Sequence, residues 1–183
     1  GVNEIYVADN KSGYVFVCGE TFVGVDNDGK VVGDISEELK SSVEEQAPII
    51  LGSSMTEIDL KSYEGISTSI QKAYKTTGGN FVIEVRAAGY GINGDEYTAS
   101  GEYIFIRVAI TPEGKIISTF TISQKETEGI GSVCASKSFY TRYNGKDAQT
   151  YKDVDTISGA TYTSEGYKTA IGQAISDVSI LKG

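Results

Sequence analysis

Asp155-Thr-Ile-Ser-Gly-Ala-Thr-Tyr-Thr-Ser164 sets the organisation of the C-terminal part of the chain, because a helical pattern begins directly after it. From there the apolar residues recur with a period of 3.6 and form one face of an amphipathic helix. This face consists of Tyr167, Ala170, Ile171, Ala174, Val178 and Leu181. The stretch therefore places its hydroxyl side chains at a helix N-terminus, where free backbone N–H groups and the helix dipole favour an anion.

Two interpretations of these hydroxyls remain open on physical grounds. The first is a phosphate site, since Gly159 and Ala160 keep the turn narrow enough for a phosphate to reach the backbone. The second is an ordinary helix cap, since Ser and Thr are among the commonest N-cap residues. The side chains concerned are those of Ser158, Thr161, Thr163 and Ser164.

The same stretch carries a family resemblance. Asp155-x-x-Ser158-Gly-Ala-Thr161 resembles the D-x-x-[ST]-G-A-[ST] motif of the FMN-binding domain family. That family includes the G subunit of the Rnf electron-transport complex and the C subunit of the sodium-pumping NADH:quinone reductase. In it the last hydroxyl of the motif carries FMN as a phosphoester, attached by a separate flavin transferase that uses FAD. The resemblance implies that Thr161 carries FMN covalently, with Ser158, Gly159, Ala160 and Thr163 beside it. On chemistry alone, Thr163 and Ser164 remain rival acceptors.

A second segment, Gln124-Lys-Glu-Thr-Glu-Gly-Ile-Gly131, resembles the E-T-P-G-L-G loop that lies against the flavin in this family. Glu128 stands where the family has Pro, which makes the loop less rigid, and Ile130 stands where it has Leu. By itself the segment is typical of a polar loop with glycines at positive φ. The resemblance implies flavin contacts from Glu126, Thr127, Gly129, Ile130 and Gly131.

Tyrosines offer a further way to hold a ring system. Tyr90, Tyr140 or Tyr162 could stack on an isoalloxazine. Because tyrosine in a β-rich protein is more often half-buried core, we interpret them as core residues.

Composition excludes several classes of function. The 183 residues carry a formal charge of −9 and no histidine, which argues against nucleic-acid binding and rules out a Ser/His/Asp triad or a histidine zinc site. Two cysteines, Cys18 and Cys134, cannot hold a four-thiolate cluster. The sequence leaves two possibilities for them, a disulfide or two buried thiols. No apolar run approaches the ~20 residues of a membrane span.

The first part of the chain shows strands over residues 14–35, followed by a helix over 36–47, a loop over 48–56 and a weaker helix over 57–74. The turn Asp26-Asn-Asp-Gly29 predicts a hairpin. A calcium loop is excluded there, because Val31 occupies the position where that loop requires Gly.

The second part predicts strands over 81–86, 103–110 and 116–122, with a turn at Thr111-Pro-Glu-Gly114. Gly89-Tyr-Gly-Ile-Asn-Gly94 matches the G-x-G-x-x-G pattern, yet no helical stripe follows it, so we reject a dinucleotide site. The Gly-Tyr-Gly also resembles a segment of the FMN-binding family.

These observations predict an α+β fold: a mainly antiparallel sheet with packed helices, and a C-terminal amphipathic helix after the flavin-attachment turn. We expect residues 1–75 to form an N-terminal β/helix portion, with the similar hairpins 25–32 and 110–117 leaving a partial repeat open, and residues 76–183 to form the FMN-binding domain.

The resemblance implies an electron-transfer subunit of a membrane-bound, Rnf-like, ion-translocating oxidoreductase, with the other subunits and a flavin transferase as partners. It also implies an N-terminal membrane anchor, absent from this chain, and an extracytoplasmic position. Two alternatives remain: another extracytoplasmic covalent-FMN accessory protein, and a non-redox binding module in which the motif only caps the helix.

Overall fold

The computed structural model describes the backbone of residues 4–7, 13–18, 21–26 and 31–34 and the complete residues 55–76, 78–93 and 102–183. The chain divides into two compact units, Gly1–Ser53 and Ser54–Gly183.

The first unit contains a four-stranded antiparallel sheet in which each strand pairs with the next along the chain. Its strands are β1 (Glu4–Val7), β2 (Gly13–Cys18), β3 (Thr21–Asp26) and β4 (Val31–Asp34). The strands predicted over residues 14–35 are therefore confirmed. The helix predicted over 36–47 lies outside the described residues.

The second unit contains a five-stranded antiparallel meander, with its strands again in chain order. They are β5 (Met55–Glu57), β6 (Ile70–Thr76), β7 (Phe81–Ala87), β8 (Ile104–Ile110) and β9 (Ile116–Ser123). The α-helices are α1 (Tyr90–Asn93), α2 (Lys137–Tyr140) and α3 (Thr161–Leu181), and 3₁₀ turns cover Leu60–Ser62, Gly131–Ala135, Thr141–Tyr143 and Tyr151–Asp153. The predicted α+β class and the turn before β9 are confirmed, with Gly114 at φ 83° and its N–H donating to Thr111 O at 2.9 Å.

The helix predicted over residues 57–74 is wrong. The segment begins and ends in strands, and between them Gly65 has φ 83°, which an α-helix does not accommodate. In β6 the pairing with β7 shifts register between Ile70 and Lys72. This irregularity allows Ile70 and Ala73, three residues apart, both to be buried in one strand. A spacing of three is also found in a helical stripe, although here the segment is held as a strand by its pairing with β7.

The core lies between α3 and one face of the sheet. On β7 and β8 every second residue faces the core beneath α3. Ile83, Val85 and Ile106 are three of these residues, and each is 0% exposed. All six apolar positions predicted for the helix face are buried, including Tyr167 and Ile171 at 0% exposure. The meander therefore acts as a platform that holds α3 by its apolar stripe, which positions the turn that precedes it.

The predicted boundary between residues 75 and 76 falls inside β6, which pairs with β7, whereas the compact unit begins at Ser54. The division into functional domains stays a prediction. In the described part of the chain, none of the helices has the length and apolar character needed to cross a membrane.

Candidate functional site

The helix α3 begins at a turn that its own first residues hold together. Gly159 has φ 74°, and Ala160, with φ −125° and ψ 56°, is the residue immediately before the helix. The Ser164 hydroxyl donates to the carbonyl of Ala160 at 2.8 Å and accepts the N–H of Ile157 at 2.9 Å. The turn is thus tied to the helix by a side chain inside the first turn of the helix.

No side chain caps this helix, because the N-cap residue is Ala160 and has no polar side-chain atom. Within the described residues, the N–H groups of Thr161, Tyr162 and Thr163 have no protein acceptor. Such groups at a helix N-terminus are available to an anion. The hydroxyls of this turn therefore do not act as the N-cap that the second interpretation required.

The four hydroxyl side chains of the turn differ in accessibility. Thr163 is 1% exposed and Ser164 is fully buried, and both hydroxyls are engaged in hydrogen bonds within the protein. Thr161 and Ser158 are exposed. Of the three hydroxyls that chemistry alone left as acceptors, Thr161 is the one on the surface.

Glu126 links three segments of the site. Its side chain is 8% exposed, and its carboxylate accepts the N–H of Tyr90 at 3.0 Å, the N–H of Gly91 at 3.2 Å and the hydroxyl of Thr163. These bonds join the loop after β9 to the start of α1 and to the first turn of α3. The carboxylate that the resemblance placed near a flavin is thus engaged by the protein itself.

Glycines make this close approach possible. A Cβ atom on Gly89 would lie 2.7 Å from Glu126 Oε1, and one on Gly131 would lie 2.7 Å from Thr163 Oγ1. The Gly-Tyr-Gly segment follows a strand of an antiparallel sheet, whereas a dinucleotide site requires a parallel βαβ unit, so the sheet agrees with the rejection of such a site. These glycines serve packing around a buried carboxylate.

A cleft of about 480 Å³ opens beside the turn, and we name it the aromatic cleft. Its lining residues are Tyr90, Glu126, Thr127, Ile130, Gly131, Gly159, Ala160, Thr161, Tyr162 and Thr163. The structure thus brings the two predicted motifs together on one cavity. Of the predicted site residues, Ser158 and Gly129 do not line it, and Gly129 instead donates its N–H to the hydroxyl of Ser132 at 2.9 Å.

The tyrosines do not all behave as core residues. Tyr140 is buried and packs edge-on against Phe120, with the ring centroids 5.5 Å apart, as we expected for a core residue. Tyr162 is 54% exposed, and its ring centroid lies 6.0 Å from that of the half-buried Tyr90. The interpretation of Tyr162 as core is wrong, because its position in the first turn of α3 leaves it exposed and lining the aromatic cleft.

A second cleft of about 740 Å³ adjoins the first, since Thr161 and Tyr162 line both cavities. We name it the arginine cleft after Arg86, whose guanidinium carbon lies 4.6 Å from the centre of the Tyr103 ring. Arg86 was not among the residues predicted for the site. The available signal was a cation at the end of a predicted strand, three residues before Gly89.

Cys134 is a free thiol buried in the core, and its carbonyl accepts the Thr121 hydroxyl at 2.7 Å. Burial raises the pKa of this thiol to about 12. Of the two possibilities left open for the cysteines, the structure has Cys134 as a buried thiol, and the side chain of Cys18 lies outside the described residues.

Comparison with known proteins bears on this geometry. Residues 100–176 match the family model of the FMN-binding domain, a range that contains both the loop after β9 and the start of α3. The chain is also 28% identical over 122 residues to the G subunit of the proton-translocating ferredoxin:NAD(+) oxidoreductase complex of Clostridium ljungdahlii. This similarity covers 62% of the chain and 60% of the relative. The predicted resemblance to the FMN-binding domain family is thereby confirmed.

Proposed function

We propose that this chain carries FMN as a phosphoester of Thr161 and serves as an electron-transfer subunit of an Rnf-like membrane redox complex. One observation carries the proposal: Thr161 is exposed at the wall of the aromatic cleft, while the neighbouring hydroxyls of Thr163 and Ser164 are buried and hydrogen-bonded. Thr161 is therefore the hydroxyl of the helix start that a transferase can reach. The family match over residues 100–176 supports the identity of the cofactor.

The aromatic cleft suits a flavin ring in size and in surface. Its volume of about 480 Å³ lies in the range of ~300–1,000 Å³ typical of small-molecule sites. Ile130 and Tyr162 line it with 45% and 54% of their surfaces exposed. Covering these two side chains with a planar aromatic ring removes apolar surface from water, which is favourable.

The phosphate end of the cofactor finds a suitable environment at the helix start. The N–H groups of Thr161, Tyr162 and Thr163 have no protein acceptor among the described residues, and the helix dipole adds a positive partial charge. Glu126 holds α3 against the loop after β9, so that both walls of the aromatic cleft keep their spacing. When bound, the flavin supplies one- and two-electron redox chemistry, and the protein orients it and limits its contact with water.

Attachment requires a reaction partner, a flavin transferase with FAD as the donor. The Thr161 oxygen forms a bond to the FMN phosphorus of FAD, the pyrophosphate bond breaks, AMP leaves and the hydroxyl proton is released. No electron is transferred in this step. The proposed partner subunits are supported by the similarity to a subunit of the Clostridium ljungdahlii complex, of whose length this chain spans 60%. The membrane anchor and the extracytoplasmic position are further parts of the proposal and follow only from the family resemblance.

The test is coexpression with a flavin transferase, followed by a denaturing gel under ultraviolet light and by intact mass. We expect a fluorescent band and a mass increase of one FMN less one water. Thr161→Val abolishes both, and Ser158→Ala, which removes another exposed hydroxyl of the same turn, leaves both unchanged. A dark wild-type band eliminates the covalent flavin, and fluorescence that survives Thr161→Val moves the attachment elsewhere.

A further inference from the structure

We propose that the arginine cleft is the phosphate side of the flavin site and that Arg86 is the counter-ion of the phosphodiester on Thr161. This inference rests on the proposed attachment at Thr161. It begins from Thr161 and Tyr162, which line both clefts, and we call this shared lining the wall. A phosphodiester on the Thr161 oxygen would lie at this wall. If the ring occupies the aromatic cleft, the arginine cleft is the neighbouring cavity whose residues would be available to the phosphate.

The charges around the wall favour a cation at this point. The chain has a formal charge of −9, and the carboxylates lining the two clefts are Glu126 and Glu165. Lys168 lies 3.7 Å from Glu165 and offsets that charge, but it does not line either cleft. Among the described residues, Arg86 is the one cationic side chain in the lining of either cavity. Within the described residues, a phosphodiester brought to this wall thus has a single cation in the cavity lining.

The position of the Arg86 side chain is suited to binding an anion. It is half-buried, its guanidinium carbon lies 4.6 Å from the centre of the Tyr103 ring, and its backbone N–H donates to the carbonyl of Ser69 at 2.9 Å. Stacking on an aromatic face leaves the edge of the guanidinium, with its N–H donors, free to meet phosphate oxygens.

The contrast with Arg107 on the neighbouring strand is informative. Arg107 donates from two nitrogens to Glu84, at 2.7 and 3.1 Å, and its charge is thereby satisfied. Within the described part of the chain, Arg86 has no such carboxylate partner. One arginine on this sheet is therefore part of an ion pair, and the other presents its charge to a cavity.

The distance between the arginine strand and the helix start is fixed by backbone packing. A Cβ atom on Gly166 would lie 2.2 Å from the carbonyl oxygen of Ala88, so the backbone of α3 directly contacts the residue that follows β7. Arg86 is two residues before Ala88, and Thr161 is five residues before Gly166. Because no side chain separates the two elements at this point, the distance between the backbone near Arg86 and the backbone near Thr161 is fixed.

The decisive measurement is the ³¹P NMR spectrum of the flavinylated protein. We expect the phosphodiester resonance to shift in Arg86→Met, to shift less in Arg86→Lys, and to stay unchanged in Arg107→Met, which removes an arginine of the same sheet that lines neither cleft. A resonance unchanged by Arg86→Met overturns the inference. Absence of any phosphodiester resonance in the wild type overturns the proposed attachment instead, so the two failures are distinguishable.

Binding to protein made without the transferase gives a second readout. Flavin fluorescence titrations compare FMN with riboflavin, which lacks the phosphate. We expect Arg86→Met to weaken FMN binding about tenfold, as for loss of a charge-assisted hydrogen bond, and to leave riboflavin unchanged. Near-UV circular dichroism checks that the variant is folded. An FMN affinity of folded Arg86→Met equal to that of the wild type contradicts the assignment.

Discussion

Replacing Glu126 with Gln tests whether this carboxylate holds the site together. The carboxylate accepts three hydrogen bonds, from the backbone N–H groups of Tyr90 and Gly91 and from the hydroxyl of Thr163. Gln has nearly the same shape but turns one acceptor oxygen into an NH₂ donor. If the amide oxygen takes the position that Tyr90 and Thr163 contact, the NH₂ group faces the N–H of Gly91, and two donors oppose each other.

The magnitude follows from these contacts. Leaving one buried donor unsatisfied costs about 1–3 kcal/mol, and the two bonds that remain each lose about 1 kcal/mol when the acceptor becomes neutral. The variant no longer buries a charge, which offsets part of the loss. We therefore expect Glu126→Gln to lower the free energy of unfolding by about 2–4 kcal/mol.

The matched control is Glu128→Gln, in the same loop two residues further on, where the side chain is exposed. We expect this change to stay within about 0.5 kcal/mol of the wild type, as surface substitutions do. The chain contains no Trp, so urea unfolding is followed by the near-UV circular dichroism of its tyrosines. If both variants unfold at the same urea concentration with equal slopes, Glu126 does not link the three segments and our account of the site is wrong.

Two further changes probe the packing of α3 and the buried thiol. Gly166→Ala would place its Cβ 2.2 Å from the carbonyl of Ala88, and we expect a loss of stability of about 1–3 kcal/mol despite the better helix propensity of alanine. Gly172→Ala in the same helix would meet only the end of the Tyr151 side chain, which can move, so thermal unfolding should show a clearly smaller loss; equal losses would refute the backbone contact. Burial raises the pKa of Cys134 from 9.0 to about 12, so an unfolded chain releases this proton at lower pH than the folded one. The stability that this protonated thiol contributes is therefore fully present below pH 9 and is lost as the pH rises from 9 toward about 12. We expect the native protein at pH 9 to resist iodoacetamide until denaturant is added. Rapid labelling of the native protein would contradict the burial of Cys134.

Much of the fold was predictable because it depends on patterns a few residues long. The helix face from Tyr167 to Leu181 and the strands β7, β8 and β9 follow from apolar periodicity, and Thr111–Gly114 follows from turn chemistry. Strand β6 was not predictable in this way. Its buried residues lie three apart, as in a helix, and pairing with β7 makes it a strand.

The candidate site also combines features that the local sequence reveals with features that depend on tertiary contacts. The two motifs, a helix start with several hydroxyls and a loop with Glu126, are visible in the sequence because residue types and spacing suffice for a resemblance. Which hydroxyl is exposed depends on tertiary contacts, since Thr163 is buried and bonded to a carboxylate 37 residues away. The tertiary structure alone also brought Arg86 into a cavity with Thr161. Exposure and charge environment depend on contacts between distant segments, and local periodicity carries no information about those contacts.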